Sequence, residues 1–569
     1  MFANIVKGSK LPNLIFGSFY FCSHISRGRA IMATKYIFVT GGVVSGIGKG
    51  IIASSIGRLL KNRGMKVFMQ KFDPYINVDP GTMSPYQHGE VFVTKDGAET
   101  DLDLGHYERF IDVELTQNAS ITTGRVYSSV INKERTGAYN GATVQVIPHI
   151  TDEIKNKIYD AAQESNADVV ITEIGGTVGD IESLPFLEAV RQVHAENEQE
   201  DVIFIHTTLI PKVPASDEYK TKPTQHSFKE LMSHGIKANI IVTRCDEPLT
   251  DDMRAKIALF CDVNKHAIIE SRNVENLYEI PISFQEQGLD SYILHKFNLP
   301  DEGPADMSDW LAMIDRVNHL EHTVKIGIVG KYVQLRDAYL SAYEATLHAG
   351  YDLSTRIEVE WINSEDVTED NINELFKDLD GIAVPGGFGK RGVHGMILTA
   401  QYARENNVPY FGISLGMQVA LIEYGRNVLG LEDADSIEFN ENTSNPIIDL
   451  MDAQYNAQLG GTLRLGNYPC TLEPGSKAFE LYKESVVFER HRHRYEFNNK
   501  YRSQFNDGQM QFTGLSPDGQ LVEVIENKSL DFFIGCQYHP EFKSRPNRSH
   551  PLFYGFIDVA LQFSKNRVK

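Results

Sequence analysis

The sequence predicts an α/β protein with two doubly wound domains. From Lys35 onward, continuous apolar runs alternate with segments of helical spacing, which is the pattern of parallel strands joined by crossover helices. A polar stretch at Pro300–Pro304 interrupts the alternation, and a second apolar series follows it. Because 569 residues exceed what one ordinary core covers, we expect at least two domains.

Apolar runs define the first domain, which we predict over residues 32–298. They predict strands at Tyr36–Thr40, Lys66–Met69, Asp168–Glu173, Val202–His206 and Ile240–Thr243. The spacing over Ile51–Asn62 predicts a helix directly after the first strand. This order of elements is typical of a parallel sheet.

A linker and a second domain follow. We predict the linker over residues 299–322, with a connecting helix in Trp310–His319. The apolar run Val324–Gly330 begins the second α/β series, which includes Gly381–Val384 and continues to the end of the chain. The second domain is therefore predicted over residues 323–569.

Residues 1–31 differ in composition from the rest of the chain. They contain basic residues but no acidic residue, and Leu14–Cys22 is apolar. One interpretation is a signal or transit peptide. Because Pro12 and Asn13 precede the apolar part and no small-residue cleavage site follows it cleanly, we favour a disordered extension upstream of Met32.

Charge and cysteine content restrict the function classes. A formal net charge of −21 argues against a general nucleic-acid binder, so any phosphate site must be built locally. No run of eighteen apolar residues is present, and the five scattered cysteines lack CxxC spacing. We expect a cytoplasmic protein with neither nucleic-acid nor membrane partners.

A glycine-rich loop follows the first strand and begins the first helix. Gly41–Gly50 offers backbone amides and a helix N-terminus that attract phosphate, and Lys49 adds a positive charge. Its spacing differs from that of an ordinary P-loop, and Gly50 stands where a Ser or Thr would bind magnesium. We interpret the loop as a nucleotide phosphate site; a glycine-rich turn without a ligand is the alternative.

Without that hydroxyl, magnesium must be held by other residues. Asp101 and Asp103 would point to one side of an extended segment. Glu173 ends an apolar strand, and ligands of open α/β sheets bind beyond the carboxyl ends of the strands. We predict that Asp103 and Glu173 share Mg²⁺, whereas the alternative for each is a solvated strand end.

Three motifs of the second domain predict nucleophilic catalysis. They are the turn Pro385–Gly389, Ser414 in a glycine-flanked elbow, and His539 two residues before Glu541. His539 would be the general base and Glu541 its orienting partner, both on one side of an extended segment. The backbone N–H of Gly387 can meet a developing oxyanion.

Long strings of the first domain resemble the CTP synthase family. They are Lys71–Thr82, His88–Val91, Asp101–Glu108, Gly141–His149, Gly175–Glu182 and Lys220–His226. The motifs of the second domain resemble a class I glutamine amidotransferase, in which the elbow nucleophile is cysteine. The resemblance covers Met32 to the end and implies a P-loop-like amidoligase domain followed by a class I glutamine amidotransferase domain.

The family's reaction assigns roles to these residues. ATP phosphorylates O4 of the uracil ring of UTP, ammonia attacks C4, and phosphate leaves to give CTP, a step of pyrimidine nucleotide biosynthesis. The resemblance implies that Lys49 and Lys71 steady the phosphates while Asp103 and Glu173 hold Mg²⁺. Further ATP contacts are expected from Gly46, Ile47, Gly48, Gly50, Ile51, Arg272, Asn273 and Val274. Contacts with UTP, or with CTP as inhibitor, are expected from Ser45, Asp180, Ile181, Glu182, Lys220, Thr221, Lys222, Pro223, Thr224, Gln225 and Lys256.

Ser414 departs from the family pattern, as does Asn273, which stands where the family usually has an acidic residue. The resemblance implies that glutamine is held by Gly387, Leu415, Gly416, Met417, Gln418, Glu438 and Arg494. An alcohol stays protonated where a thiol can ionise, so its proton must be removed during the attack. We therefore predict weak or absent glutamine-dependent synthesis and persisting ammonia-dependent synthesis.

Two other functions fit parts of the sequence. Gly412–Gly416 matches the G-x-S-x-G elbow of α/β-hydrolases, although the acid precedes the histidine in that fold, whereas Glu541 follows His539. An inactive nucleotide-sensing subunit is the other alternative, although the predicted phosphate and metal residues are intact. The resemblance also implies a homotetramer able to stack into filaments, GTP as an activator of glutamine hydrolysis, and ammonia passing between the domains.

Overall fold

The computed structural model describes residues 33–213, 218–450, 464–505 and 509–567. The predicted N-terminal extension, residues 1–31, lies outside the described residues. Two lobes are built around two large sheets. We call residues 34–318 the N-terminal lobe and residues 322–567 the C-terminal lobe.

A parallel sheet forms the centre of the N-terminal lobe. Its seven strands among the described residues are, in spatial order, Ile268–Arg272, Ile240–Cys245, Val202–Leu209, Lys35–Gly41, Val169–Ile174, Val67–Asp73 and Ser120–Thr122. All neighbouring pairs run parallel. The strands are almost entirely buried, as continuous apolar runs require. The five strands predicted from the sequence all belong to this sheet.

Helices and two short hairpins complete the lobe. Its α-helices are Lys49–Asn62, Pro85–His88, Asp103–Ile111, Thr123–Arg135, Thr151–Ser165, Leu184–Glu196, Lys222–Ser233, Asp251–Cys261, Ile280–Glu286, Leu289–Lys296 and Ser308–Asn318. The hairpins pair Phe92–Val93 with Glu99–Thr100 and Lys212–Val213 with Glu218–Tyr219. In the last helix, Trp310 is fully buried and its indole donates to Tyr278 O at 2.7 Å, so the connecting segment packs on the lobe.

The C-terminal lobe contains a larger, mixed sheet. Its nine strands among the described residues are Thr355–Asn363, His322–Gly330, Gly381–Val384, Tyr410–Ile413, Phe533–Cys536, Val522–Asn527, Met510–Leu515, Arg464–Leu472 and Val486–His493. The first five run parallel and the remaining neighbours antiparallel. The doubly wound pattern therefore holds for these five parallel strands, of which Phe533–Cys536 follows the Ser414 turn in the chain.

Further elements of this lobe surround the sheet. A small sheet is formed by Ala434–Ser436, Asn445–Leu450 and Tyr495–Phe497. The α-helices are Leu340–Asp352, Ile372–Phe376, Val393–Asn406, Leu415–Asn427, Lys477–Tyr482, Arg502–Phe505 and Pro551–Arg567. In the described part of the chain, helices of sufficient length and apolarity to cross a lipid bilayer are absent.

Candidate active site

Ser414 occupies a sharp turn between a strand and a helix. It follows the strand Tyr410–Ile413 and precedes the helix Leu415–Asn427, with φ 51° and ψ −103°. A residue other than glycine holds such a conformation only where its surroundings impose it. Here the Ser414 N–H donates to Cys536 O at 2.7 Å, which fixes the turn to the neighbouring strand. The side chain at this position is thereby presented as a nucleophile would be.

His539 and Glu541 lie beside this turn. His539 Nδ1 and Glu541 Oε1 are 2.6 Å apart, so the carboxylate can orient the imidazole. Our expectation of an extended segment is wrong: Pro540–Lys543 forms a 3₁₀ turn, because Pro540 fixes the backbone angle that begins a helical turn. The carboxylate reaches the imidazole through that turn.

The Ser414 side chain does not engage the imidazole. Within the described residues, His539 Nε2 has no hydrogen-bond partner, and the Ser414 hydroxyl receives only a long contact from Gln537 Nε2 at 3.5 Å. The turn Pro385–Gly389 comes close to both groups at Gly386, where a Cβ would lie 2.9 Å from His539 Cε1. Base, hydroxyl and glycine turn thus converge, without a formed hydrogen bond between hydroxyl and base.

Lys331 fixes the turn Pro385–Gly389, and it was not predicted as a site residue from the sequence. Its buried ammonium group donates to Phe388 O at 3.2 Å and to Gly389 O, and the Gly389 N–H donates to Glu438 Oε1 at 2.6 Å. Burial lowers the pKa of Lys331 to about 8. Its position directly after the strand His322–Gly330 could have indicated a site residue, because ligands bind at the carboxyl ends of such strands.

The remaining predicted glutamine contacts gather near this turn. Leu415, Met417 and Gln418 are buried at the start of the elbow helix, as is Gly416. A Cβ on Gly387 would lie 3.4 Å from Leu415 Cδ2. Burial raises the pKa of Glu438, while the charge of Arg494 is close enough to oppose that shift. Carboxylate and guanidinium groups that could hold an amino acid are therefore present.

A second centre lies in the N-terminal lobe around Lys71. Its ammonium group pairs with Asp103 and lies 3.5 Å from Glu173, 3.7 Å from Asp73 and 3.9 Å from Asp101. Burial works to lower the pKa of Lys71, but these carboxylates outweigh it and raise that pKa well above its ordinary value. Asp73 and Asp101 were not predicted as site residues in this centre.

Asp101 and Asp103 reach Lys71 in a way the sequence did not predict. We expected an extended segment, but Asp103 begins the helix Asp103–Ile111. The Leu104 N–H donates to Asp101 O at 3.2 Å, so the segment turns before the helix begins. Both carboxylates face Lys71 because of this turn rather than through strand alternation.

Gly50 explains how the loop approaches these carboxylates. A Cβ at this position would lie 2.5 Å from Asp103 Oδ1 and 3.4 Å from Glu173 Oε2. A Ser or Thr side chain would therefore collide with the pair predicted to hold magnesium. The Asp103 carboxylate occupies the space that a side chain at position 50 would need.

The residues present fit Mg²⁺. Asp103 and Glu173 offer hard oxygen ligands, and four carboxylates face the ammonium groups of Lys49 and Lys71. Groups of three or more His, Cys, Asp or Glu side chains arranged to hold a metal unaided are not found among the described residues. Mg²⁺ suits such a place because it takes most of its ligands from phosphate and water.

Lys49 and Tyr107 complete this centre. Lys49 Nζ donates to Gly176 O at 2.6 Å, and burial lowers the pKa of Lys49. The Tyr107 hydroxyl donates to Glu173 Oε2 and so fixes the orientation of that carboxylate. Tyr107 was not singled out from the sequence, because a buried tyrosine on a helix is usually a core residue.

The predicted base-binding segment lies near the glycine loop. Arg244 connects the two, since its guanidinium donates to Gly46 O at 3.4 Å and to Asn273 Oδ1 at 3.0 Å. Asn273 also donates to Asp246 Oδ1, while Arg272 is exposed. Ile47 is buried in the loop, and Ile51 is partly buried in the helix.

The predicted UTP and CTP contacts are mostly on the surface. Ser45, Asp180, Ile181, Glu182, Lys222 and Lys256 are exposed, Lys220 and Pro223 are half-buried, and Thr221, Thr224 and Gln225 are buried. Ile181 is 79% exposed. In the described part of the chain, none of these side chains forms a hydrogen bond or an ion pair with Lys49 or Lys71.

A small cavity joins the two lobes. Its volume is about 80 Å³ and its lining includes Gly387, Ser414 and His539 of the C-terminal lobe. The N-terminal lobe contributes Gly89 and Glu90. The Ser414 centre therefore opens toward the segment that precedes Asp101 and Asp103.

Comparison with known proteins identifies the family. The CTP synthase N-terminus profile matches residues 35–299, and the class I glutamine amidotransferase profile matches residues 334–559. The CTP synthase of Bacillus subtilis (strain 168) is 60% identical over 535 residues, which are 94% of this chain and 100% of that protein. The chain belongs to the CTP synthase family.

Two further similar proteins are another bacterial CTP synthase and the glutaminase domain of a CTPS. The CTP synthase of Bacillus velezensis is also 60% identical over 535 residues, with the same coverage of both chains. The glutaminase domain of Trypanosoma brucei CTPS with bound acivicin is 39% identical and covers 42% of this chain and 94% of that domain, with a TM-score of 0.40.

Membership of the family establishes the reaction. This CTP synthase is a ligase of pyrimidine nucleotide biosynthesis that converts UTP to CTP at the expense of ATP. A class I glutamine amidotransferase domain accompanies the synthase domain in the same chain. ATP and UTP are its substrates.

Proposed function

We propose that this CTP synthase takes its nitrogen mainly from free ammonia and uses glutamine poorly. The observation that carries the proposal is the unformed contact between Ser414 and His539. A serine nucleophile needs its base within hydrogen-bond reach, yet His539 Nε2 has no partner among the described residues. The family resemblance implies cysteine at this position, and its longer, ionisable side chain would carry out the attack more readily than an alcohol.

The chemistry of the two nucleophiles sets the expected size of the effect. A thiolate beside an imidazole attacks without further deprotonation, whereas an alcohol must lose its proton as the bond forms. A loss of roughly a hundredfold in glutamine turnover corresponds to about 3 kcal/mol in the barrier. Ammonia supplied from solution bypasses this step altogether.

The centre around Lys71 in the N-terminal lobe, which we call the synthetase centre, supports the proposed use of free ammonia. Lys71 and Lys49 would steady the phosphates while the uracil O4 of UTP takes the phosphoryl group, after which ammonia attacks C4 and phosphate departs. Asp103 and Glu173 would hold Mg²⁺, which when bound neutralises phosphate charge. Arg272, Asn273 and Val274 would lie along the base of ATP. Gly46–Ile51 would surround its phosphates.

Many of the residues predicted to bind UTP are exposed in the single chain, which supports a UTP site completed by a neighbouring subunit. Ser45, Asp180–Glu182, Lys220–Gln225 and Lys256 would contact UTP or inhibitory CTP together with a neighbouring subunit. The exposed apolar side chains of Ile181, Ile131 and Ile147 favour such a contact, because they are 79%, 55% and 53% exposed in the single chain. We propose a homotetramer, able to stack into filaments.

The cavity between the lobes would carry the nitrogen. Its lining extends from Ser414 to Glu90, and the neighbouring His88 lies 3.9 Å from Asp101 in the synthetase centre. Ammonia is small enough for a cavity of about 80 Å³. Passage inside the protein would protect it from dilution into solvent.

Three further assignments complete the proposal. The domain boundaries stay as residues 32–298, 299–322 and 323–569, and GTP would activate glutamine hydrolysis where that reaction occurs. The free cysteines among the described residues favour a reducing compartment, and thus the cytoplasm. These assignments depend on the family resemblance and on composition.

A paired assay tests the central proposal. CTP formation is measured with glutamine and with ammonium chloride, on the parent chain and on Ser414→Cys. We expect Ser414→Cys to raise only the glutamine-driven rate, by about a hundredfold. Steady glutamine turnover by the parent at a rate comparable with its ammonia-driven rate would refute the proposal. Rapid labelling of Ser414 by a fluorophosphonate would instead favour a serine hydrolase.

A further inference from the structure

Glu90 presents an unpaired carboxylate oxygen in the cavity between the lobes. One oxygen, Oε2, accepts a hydrogen bond from the Ser341 N–H at 2.6 Å, and the Glu90 N–H donates to Asp337 O at 2.9 Å. The other oxygen, Oε1, is buried and has no partner among the described residues. The side chain belongs to the N-terminal lobe but is fixed by the C-terminal lobe.

The surroundings of Glu90 leave that oxygen available to a ligand. Arg109, the nearest guanidinium group on the adjoining helix, is engaged with Ser341 Oγ at 3.1 Å and with His106 Nδ1 at 3.2 Å. Much of the remaining cavity lining is apolar, including Val91, Ala342 and Phe542. A buried carboxylate oxygen without a partner is costly, and a small cation with N–H donors would relieve that cost.

Ammonium has the required size, charge and donors. If glutamine is a poor source, as proposed above, nitrogen enters largely as ammonium, which has no lone pair and cannot attack a carbon atom. A protein group that removes one proton from ammonium would make this abundant form usable for the amination step. The cavity lining contains two carboxylates, and Glu541 already pairs with His539.

We propose that Glu90 Oε1 binds the ammonium ion that enters the cavity and accepts one of its protons. An N–H bond breaks, an O–H bond forms on Glu90, and the electron pair stays on nitrogen, so that neutral ammonia moves on and the carboxyl group returns its proton to water. The inference depends on the proposed use of free ammonia. It assigns Glu90 to the handling of the nitrogen substrate rather than to phosphoryl transfer.

The electrostatics agree with this role. Burial raises the pKa of Glu90 to about 7, a shift that hydrogen bonds from Ser341 and the charge of Arg109 oppose and the charge of Glu541 reinforces. A carboxylate with this proton affinity is a better base toward ammonium than an ordinary one. Further titratable groups in the cavity lining are His539, Arg492, Tyr332 and Tyr339. His88 lies two residues before Glu90 in the chain.

The test uses Glu90→Gln in the full chain, with ammonium chloride as the nitrogen source. The amide oxygen can still accept from Ser341, while the position of Oε1 loses its charge and its basicity. At neutral pH we expect the KM for ammonium to rise about tenfold, with the KM values for ATP and UTP unchanged. At alkaline pH, where ammonia arrives already neutral, the difference between variant and parent should shrink.

Hydroxylamine separates recognition of a cation from a structural effect. It is an amine of similar size that is largely uncharged near neutral pH, so Glu90→Gln should use it as well as the parent does. The matched control is Glu114→Gln, which removes another carboxylate between the lobes, close to Lys543 and outside the cavity lining. We expect it to leave the KM for ammonium unchanged.

Two results would overturn the inference: an unchanged KM for ammonium in Glu90→Gln, or an equal loss with ammonium and with hydroxylamine. If Glu90→Gln does not fold, Glu90→Asp withdraws the carboxylate by one methylene and must show the same selective loss. A parent chain that uses glutamine as readily as ammonia refutes the proposed function instead. The two failures are thus distinguished by different assays.

Discussion

Glu108 and Arg490 form an ion pair 2.9 Å long between the two lobes, and neither side chain has any exposed surface. Arg545 donates to the same carboxylate oxygen at 2.9 Å. Glu108 lies on the helix that Asp103 begins, and Arg490 O accepts from the His539 N–H at 2.7 Å. One buried carboxylate therefore links the segments that carry both centres.

Removing Glu108 should destabilise the whole molecule. Glu108→Ala leaves two buried guanidinium groups without that partner, so we expect the free energy of unfolding to fall by about 3–5 kcal/mol. Urea unfolding followed by circular dichroism measures the change. Arg548→Ala is the control, because Arg548 is 68% exposed in its pair with Asp112 and should cost less than about 1 kcal/mol. Equal losses in the two variants would contradict this account.

The sequence predicted the parallel sheet because its strands are buried on both faces and therefore read as continuous apolar runs. The strand Val67–Asp73 shows where that signal ends. Its last part contains Lys71 and Asp73, which are buried beside carboxylates of other elements, since Lys71 pairs with Asp103 and lies 3.5 Å from Glu173. Hydrophobic periodicity in the sequence does not predict such ion pairs between different elements.

The antiparallel half of the C-terminal sheet was not predicted. Strands such as Arg464–Leu472 and Val486–His493 mix buried and exposed or charged positions, so they lack a clear apolar run. Arg490 is fully buried there by a contact that lies far away in the sequence, since its guanidinium donates to Val93 O at 3.0 Å. Glu90 was missed for the same reason, since its partners Asp337 and Ser341 are about 250 residues away.

Neutralising the predicted magnesium ligands should stop CTP formation from either nitrogen source. For Asp103→Asn and Glu173→Gln we expect a loss of about a hundredfold or more in the ammonia-driven rate, because phosphate charge would no longer be balanced. The Ser414→Cys background should retain its glutamine hydrolysis, which occurs in the other lobe. Asp262→Asn is the control, since that carboxylate is 85% exposed. An undiminished rate in Asp103→Asn would place the metal elsewhere.

Restoring the usual P-loop hydroxyl at position 50 should harm the enzyme. Any Cβ there lies 2.5 Å from Asp103 Oδ1, so Gly50→Ala and Gly50→Ser should both lose most ATP-dependent activity. The KM for ATP and the ammonia-driven kcat measure the effect. If Gly50→Ser were clearly more active than Gly50→Ala, the hydroxyl would be replacing a ligand, and steric exclusion would not be the reason for glycine.

The turn at Ser414 should be more stable with glycine. Its φ of 51° with ψ of −103° disfavours residues that carry a Cβ, and glycine removes that conflict. We expect Ser414→Gly to raise the free energy of unfolding by about 1–2 kcal/mol relative to Ser414→Ala. Thermal unfolding of the two variants provides the comparison. A less stable glycine variant would show that the turn is not strained.

A buried carboxyl group in the C-terminal lobe should make stability depend on pH. Burial raises the pKa of Glu496 from 4.5 to about 8, with Glu523 adding to the shift and Arg464 opposing it. The folded state thus holds a proton that the unfolded state releases between these two values. The stability contributed by that proton is complete below about pH 4.5 and is lost as the pH rises through about 8.

Glu496→Gln should remove this dependence, because an amide cannot ionise. We expect the variant to lose less stability than the parent between pH 5 and 8, with a difference on the order of a few kcal/mol at the upper end. Urea midpoints measured across this range supply the comparison. Glu484→Gln, at an exposed position of the same lobe, reports the effect of removing a surface charge. A Glu496→Gln profile parallel to that of the parent would mean that this carboxyl group is already ionised in the folded protein.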